Sequence, residues 1–264
     1  MSETDPLDRA PLWCLVGPTA SGKTALALDL CEEVGAEVLS LDSMLVYRGL
    51  DIGTAKPSKE EQARVPHHLM DLVCPSEPYD VQRYLAAARE ALAAIQDRGG
   101  RGLFVGGTGF YLAALLRGLF EGPPVDRDLR GRLEGERKAQ GAEAFHQRLA
   151  AVDPQAAERL HPNDGRRVVR ALEVLEQTGR TLTDWQDNWN AEPGARQRRA
   201  RMVGLSVERE VLEQRIRTRA AAMLDRGWRE EAVAVRDGPG FGRSAVSALG
   251  YAEVLAWDAG RLTR

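Results

Sequence analysis

The run Gly17-Pro18-Thr19-Ala20-Ser21-Gly22-Lys23-Thr24 has the residue types of a phosphate-binding loop at the spacing G-x-x-x-x-G-K-[ST]. Gly17 and Gly22 let the backbone curl around an anion, so that consecutive N–H groups point at phosphate oxygens. Lys23 adds a positive charge, and the hydroxyl of Thr24 is a ligand for magnesium. We therefore expect this loop to bind a diphosphate or a triphosphate.

Strands and helices must hold this loop and bring other polar residues to it. An apolar run at 11–16 predicts a buried strand before the loop, and helix formers follow at 25–30. Further strands are predicted at 37–41, ending at Asp42, and at 102–105, ending near Thr108. Because ligands of open α/β sheets bind outside the carboxyl ends of the strands, both side chains should face the phosphates. Asp42 is then a candidate base, or alternatively a cap of the following turn.

The strand at 102–105 lacks a feature of hydrolytic nucleotide-binding proteins. ATPases and GTPases normally hold magnesium with an acidic residue at the end of such a strand. Gly106 takes that position here, and the chain has no Asn-Lys-x-Asp motif to read guanine. A phosphate-binding loop without these hydrolytic features indicates a reaction in which diphosphate is the leaving group.

Composition narrows the class of protein. Hydrophobic residues make up 43% of the chain and charged residues 28%, as in a globular protein. The absence of an apolar run near the roughly 20 residues of a membrane helix predicts a cytoplasmic protein without a membrane segment. Three cysteines without a C-x-x-C pair indicate neither a disulfide framework nor a zinc site. The adjacent His67 and His68 are interpreted as structural or substrate-positioning residues, since neighbours in an extended chain point to opposite sides.

The second half of the chain is helical and rich in arginine. Helices are predicted between residues 126 and 177, and a polar linker is predicted over 190–199. Arg166, Arg167 and Arg170 lie within about one turn of each other in the last of these helices. Because arginine binds phosphates in a bidentate manner and stacks on bases, these arginines are candidates for contact with nucleic acid. Two alternative explanations are a solvated face of the helix and a biased base composition of the genome.

These patterns predict an α/β fold, with a parallel sheet flanked by helices and an inserted helical part. The expected boundaries are residues 1–122 for the first part of the core, 123–199 for the insertion and 200–264 for the return to the core. A strand at 202–205 and a helix at 209–225 open the returning part, and a final helix is predicted to start at Ala248-Leu249-Gly250-Tyr251. Arg215 and Arg219 share one face of that helix.

The motifs in this order resemble the tRNA dimethylallyltransferase (tRNA isopentenyltransferase) family. The match begins near residue 11 and ends near residue 257. Its most specific parts are Asp51-Ile52-Gly53-Thr54-Ala55-Lys56-Pro57 and Arg170-Ala171-Leu172-Glu173-Val174. Other matching segments are the phosphate loop, Asp42-Ser43 to Tyr47, Pro66-His67-His68-Leu69, Val105-Gly106-Gly107-Thr108, His161-Pro162-Asn163-Asp164 and Gly250-Tyr251.

The resemblance implies a P-loop NTPase-like sheet with an inserted all-helical subdomain that grips tRNA. It implies transfer of a dimethylallyl group from dimethylallyl diphosphate to the exocyclic amine of an adenosine beside the anticodon. Magnesium is the implied cofactor and the tRNA anticodon stem-loop the implied partner. We expect a monomer, because an asymmetric stem-loop needs a single site.

The resemblance also implies roles for individual residues. Asp42 would orient the adenine amine and take its proton, while Thr108 and Arg219 or Arg215 would support the departing oxygen. Ala252 stands where members usually carry a basic residue, so one phosphate contact should be missing. The residues implied to line the tRNA path are Asp42, Ser43, Met44, Leu45, Thr108, Arg130, Arg166, Arg167, Val168, Val169, Arg170 and Ser247 to Ala252, which includes Gly250 and Tyr251.

Three other functions stay open from the sequence. An adenylate isopentenyltransferase performs the same chemistry on a free nucleotide, although a mononucleotide needs no second gripping domain. A phosphotransferase for a small metabolite is opposed by the missing acidic residue at Gly106. The third is an inactive RNA-binding relative, since members of the family normally continue beyond residue 264 into a basic helix.

Overall fold

Five parallel strands form one sheet in the order β3-β2-β4-β1-β5, in a computed structural model that describes residues 4–119, 122–190 and 195–262. The strands are β1 (Trp13–Val16), β2 (Ala36–Leu41), β3 (His67–His68), β4 (Arg101–Gly106) and β5 (Arg201–Gly204). Such an order brings the ends of β1, β2 and β4 together at one edge. The α/β class with a parallel sheet is confirmed.

The helices follow the order of the chain and join parallel strands by crossover connections. They are α1 (Pro6–Arg9), α2 (Lys23–Val34), α3 (Lys59–Arg64), α4 (Val81–Asp97), α5 (Gly109–Arg117), α6 (Arg127–Gln140), α7 (Ala142–Val152), α8 (Pro154–Arg159), α9 (Gly165–Thr178), α10 (Leu182–Asn190), α11 (Ala195–Arg199), α12 (Arg209–Asp225), α13 (Trp228–Asp237) and α14 (Tyr251–Asp258). In the described part of the chain, no helix is long and apolar enough to cross a membrane.

The chain divides into two compact units, Met1–Gly118 with Gly194–Arg264, and Leu119–Pro193. The first unit contains the sheet, and its core has apolar residues on both faces. Leu15 and Val38 pack with Leu28 of α2 on one face. On the other face Tyr84 and Tyr111 stack with their ring centroids 4.2 Å apart, and both rings are buried.

The second unit is a helical bundle of α6 to α10 with its own core. Phe145, Leu149, Val168 and Leu172 lie in one cluster of buried residues. Acidic caps begin several of its helices, as when Asp126 accepts hydrogen bonds from the backbone N–H groups of residues 128 and 129 at the start of α6. The apolar periodicity and these caps explain why the sequence predicts the helices of this unit well.

Two expectations about the chain after residue 190 need correction. Residues 195–199 form the helix α11 within the first unit, whereas the sequence placed them in a linker of the insertion. The reason is an ion-pair cluster: Arg196 contacts Asp5 at 3.2 Å and Asp8 at 2.6 Å, and it donates to the carbonyl oxygen of Leu115 at 3.1 Å. The final helix starts at Tyr251 and not at Ala248, because Gly250 takes a left-handed conformation, with φ of 85°, just before it.

Candidate active site

The phosphate loop lies between β1 and α2 and has the backbone shape that its glycines predict. Gly22 has φ of 93° and Ala20 has φ of 63°, both in the left-handed region. A Cβ at Gly17 would lie 3.0 Å from the Ser21 hydroxyl and 3.1 Å from Leu205, so any larger residue would crowd these two neighbours. The curled backbone leaves the first N–H groups of α2 to an incoming anion.

Lys23 bridges the two ends of this loop. Its Nζ donates to the carbonyl oxygens of Gly17 at 2.8 Å and Pro18 at 2.6 Å. Burial lowers the pKa of Lys23, an effect that the carboxylate of Asp42 opposes and the positive charge of Arg219 reinforces. Three charged groups therefore share one electrostatic environment at this edge of the sheet.

Asp42 and Thr108 follow β2 and β4, as expected, and Thr108 is hydrogen-bonded to the two residues that flank Asp42. Thr108 donates its N–H to the Leu41 carbonyl at 3.2 Å, and its Oγ1 accepts from the N–H of Ser43, also at 3.2 Å. The Oδ1 of Asp42 accepts from the N–H of Met44 at 2.8 Å. The capping alternative for Asp42 is thus present in the structure, and this hydrogen bond uses one of the two carboxylate oxygens.

Gly106 explains in structural terms why the acidic residue of hydrolytic enzymes is missing. A Cβ at this position would lie 2.1 Å from the carbonyl oxygen of Leu41 on the neighbouring strand. Such a contact is far below van der Waals distance, so no carboxylate can project from the end of β4.

The two arginines of α12 differ in their surroundings. Arg219 is half-buried, and burial lowers its pKa while the carboxylate of Asp42 acts in the opposite direction. Arg215 is exposed, and its Nη1 lies 3.5 Å from the carbonyl oxygen of Ala20 in the phosphate loop. Arg219 therefore interacts electrostatically with Asp42, whereas Arg215 contacts the phosphate loop.

A pocket of about 280 Å³ opens beside the loop and Thr108. Since a dry cavity of about 150 Å³ takes up benzene, this pocket has room for a five-carbon group. Its walls are mainly apolar or small residues, namely Val16, Gly17, Pro18, Leu41, Gly107, Thr108, Gly109 and Leu112.

The arginines that the sequence assigned to tRNA have different environments in the helical unit. Arg130 and Arg170 both contact the carboxylate of Glu173, which has no exposed surface. Arg130 donates from Nε at 3.0 Å and from Nη2 at 2.5 Å, so its guanidinium is engaged in an internal pair. Arg166 and Arg167 are exposed and remain candidates for contact with phosphates.

Three of the expected tRNA contacts are corrected by burial. Val168 and Val169 are only 0% and 2% exposed, because the helix α9 turns them into the core of the bundle. Tyr251 is 1% exposed, and its hydroxyl donates to Glu231 at 2.6 Å. These three side chains are enclosed by the protein, whereas Ser43, Met44 and Leu45 stay partly exposed.

Two charged residues around the Asp51–Pro57 segment were missed as partners. Lys56, with 4% of its side chain exposed, contacts the carboxylates of Asp51 at 2.6 Å and Asp71 at 2.5 Å. Glu231 accepts hydrogen bonds from three consecutive backbone N–H groups of the same segment. Glu231 lies some 180 positions further along the chain, so no local pattern could have paired them.

The fold and the site together define a P-loop NTPase-like α/β protein in which an apolar pocket and a carboxylate lie beside the loop. The sequence profile described as IPP transferase matches residues 45–264, and that described as isopentenyl transferase matches residues 10–70. The chain belongs to the IPP transferase family.

Individual relatives agree with this assignment. A tRNA dimethylallyltransferase of Geobacter metallireducens is 45% identical over 259 residues, which cover 97% of this chain and 82% of the relative. One from Halorhodospira halophila is 45% identical over 247 residues, or 93% and 79% of the two chains.

Solved structures show the same architecture. A full-length tRNA isopentenylpyrophosphate transferase from Bacillus halodurans has a TM-score of 0.65 at 38% identity, over 97% of this chain and 79% of that one. A eukaryotic dimethylallyltransferase acting on tRNA has a TM-score of 0.76 at 27% identity, over 96% and 64% of the two chains. The resemblance in the sequence is thus confirmed.

Proposed function

We propose that this protein transfers a dimethylallyl group from dimethylallyl diphosphate to the exocyclic N6 amine of an adenosine in tRNA. The observation that carries the proposal is the arrangement of Asp42, Lys23 and the apolar pocket at one edge of the sheet. The reaction needs three parts, namely a loop that binds diphosphate, a pocket for the five-carbon group and a carboxylate that accepts a proton. The named relatives support the same assignment.

In the proposed reaction the bond between C1 of the allyl group and its bridging oxygen breaks, and a bond forms between C1 and N6. The diphosphate leaves with the electron pair of the broken bond, held by the phosphate loop and by Lys23. Arg219 and Thr108 stabilise the charge that develops on the bridging oxygen. Asp42 accepts the proton that N6 loses, with the carboxylate oxygen that Met44 leaves free.

Magnesium fits the residues of the loop. Magnesium commonly binds through one or two protein groups together with substrate phosphates, and therefore needs no complete protein cage. Among the described residues no cluster of three His, Cys, Asp or Glu side chains could hold a metal by itself. The exposed hydroxyl of Thr24 would hold the ion together with the diphosphate, whose negative charge the ion would neutralise.

The substrate side of the proposal concerns an adenosine that has left its base stack. Enzymes that act on a base take it out of the stack to reach the reactive atom. We propose the anticodon stem-loop as the bound part of tRNA, with the target adenosine next to the anticodon. Ser43, Met44 and Leu45 of the α/β unit and Arg166 and Arg167 of the helical unit are the proposed contacts. The enzyme would act as a monomer in the cytoplasm.

Incubation with radiolabelled dimethylallyl diphosphate and magnesium tests the proposal, with unmodified tRNA or AMP as acceptor. Label that enters tRNA and not AMP supports it, and a tRNA with guanosine at the target position is the matched control. Label in AMP would assign the chain to the enzymes of free nucleotides. Bound tRNA that never acquires label would contradict the catalytic proposal.

A further inference from the structure

Glu231, in the first turn of α13, binds a segment of chain far from it in sequence. Its Oε2 accepts the N–H groups of Asp51 at 2.8 Å and Ile52 at 2.7 Å, and its Oε1 accepts that of Gly53 at 3.1 Å. The hydroxyl of Tyr251, at the start of α14, donates to the same Oε1 at 2.6 Å. Successive backbone N–H groups form a concave site for an anion, and here the anion is a side chain of the protein itself.

Aromatic rings enclose this contact. A Cβ at Gly53 would lie 2.0 Å from the indole Nε1 of Trp228 and 2.7 Å from the ring of Tyr251. Trp228 is 8% exposed and Tyr251 is 1% exposed. Glu231 itself is half-buried, so its carboxylate is partly shielded from water, and hydrogen bonds to a charged group are stronger than those between neutral groups. The contact joins the Asp51–Gly53 segment, α13 and α14.

A series of further contacts leads from this joint to Asp42. The carboxylate of Asp51 binds Lys56, whose Nζ also donates to the carbonyl oxygen of Tyr47 at 2.8 Å. The N–H of Tyr47 donates to the carbonyl oxygen of Met44 at 3.2 Å. Met44 in turn donates its N–H to Asp42. Each step is a hydrogen bond or an ion pair within a short stretch of chain.

We propose that Glu231 is a positioning residue that holds the Asp51–Gly53 segment and thereby sets the orientation of the Asp42 carboxylate for proton acceptance. The inference rests on the proposed function, since it concerns the geometry of that reaction. Both carboxylate oxygens of Glu231 accept hydrogen bonds from the protein itself. It acts through the segment, so its loss should impair the chemical step more than the binding of diphosphate.

The substitution Glu231→Gln tests this role, with Glu230→Gln as the matched control. The glutamine keeps one acceptor but turns an NH₂ group towards donors, so at least one of the four hydrogen bonds is lost. Glu230 lies in the same turn of α13 and is exposed, so its substitution makes the same change of charge without touching the segment. Tyr251→Phe is a second, milder variant that removes one donor only.

Steady-state kinetics with tRNA should show kcat reduced about 10- to 100-fold in Glu231→Gln, the range expected when reacting groups are misplaced by about 1 Å. The KM for dimethylallyl diphosphate should stay within about twofold, because an interaction that matters in the transition state changes kcat. Tyr251→Phe should fall between wild type and Glu231→Gln, and Glu230→Gln should match wild type.

Amide hydrogen exchange supplies a readout that does not depend on activity. In Glu231→Gln the amides of residues 51–53 should exchange faster, while those of β1 and β4 keep their protection. Unchanged exchange at 51–53, or a kcat equal to that of wild type, would overturn the inference. So would faster exchange throughout the sheet, which would indicate a general loss of stability. A wild-type protein that fails to modify tRNA would instead contradict the proposed function.

Discussion

Replacing Asp42 with asparagine separates its catalytic role from its structural one. In the wild-type protein Oδ1 of Asp42 accepts a hydrogen bond from the N–H of Met44 at 2.8 Å. Asparagine keeps an oxygen that can accept this hydrogen bond, so the turn after β2 should persist. It cannot accept a proton from N6. Loss of a general base costs a factor of about 10² to 10⁴ in rate, or roughly 3 to 5 kcal/mol of activation free energy.

Alanine at the same position gives a second comparison. It removes both the proton acceptor and the hydrogen bond to Met44, which contributes about 0.5–1.5 kcal/mol to stability. We therefore expect Asp42→Asn and Asp42→Ala to lose similar activity, while only Asp42→Ala lowers the midpoint of urea unfolding measurably.

Single-turnover transfer of labelled dimethylallyl to tRNA measures the chemical step without product release. Binding of inorganic diphosphate to the same variants serves as the control for the phosphate loop, and it should persist in both. If Asp42→Asn transferred label within about threefold of the wild-type rate, Asp42 would not be the base, and the assignment of the proton acceptor would fail.

Three further predictions concern packing and burial in the two units. Gly53→Ala should destabilise the protein by about 1–3 kcal/mol or more, because its Cβ would overlap the indole of Trp228; urea unfolding checks this. Glu173→Ala should lower the free energy of unfolding by roughly 3–5 kcal/mol, because Arg130 and Arg170 lose the buried carboxylate that they both contact. Amide hydrogen exchange should become faster in α6 and α9 and stay unchanged in β1. Burial raises the pKa of Tyr84 well above its usual value, so near pH 10 this tyrosine ionises only in the unfolded chain, and the free energy of unfolding should fall as pH rises beyond that. Tyr84→Phe should make the slope of unfolding free energy against pH shallower by about 1.4 kcal/mol per pH unit. An unchanged slope between about pH 10 and 12 would contradict this cause.

The sequence predicts those elements whose structure is determined by residues close to one another in the chain. The phosphate loop and the helices near Asp126–Gly179 could be predicted because glycines, caps and apolar spacing act over a few residues. The strand β3 was not predicted, since two residues, His67 and His68, are too few to show a period. It forms because β2 offers a free edge, where Val38 pairs with His67.

Burial and distant partners could not be predicted in the same way. The motif of α9 contains two exposed arginines next to two buried valines, and only the packed bundle distinguishes them. Asp51 to Gly53 had the composition of a functional loop, yet its amides bind Glu231, which is encoded almost at the other end of the chain. Contacts of that separation depend on the assembled fold.

The way in which the chain leaves and rejoins the α/β unit makes the helical bundle a removable module. It departs after α5 and returns at α11, and these two helices touch each other: Arg117 donates to Gln197 at 3.0 Å, and Arg196 donates to Leu115. An insertion between two host helices that contact each other can be lengthened, exchanged or deleted without separating any strands of the host sheet. Changes in the inserted bundle can thus proceed independently of the residues at the edge of the sheet.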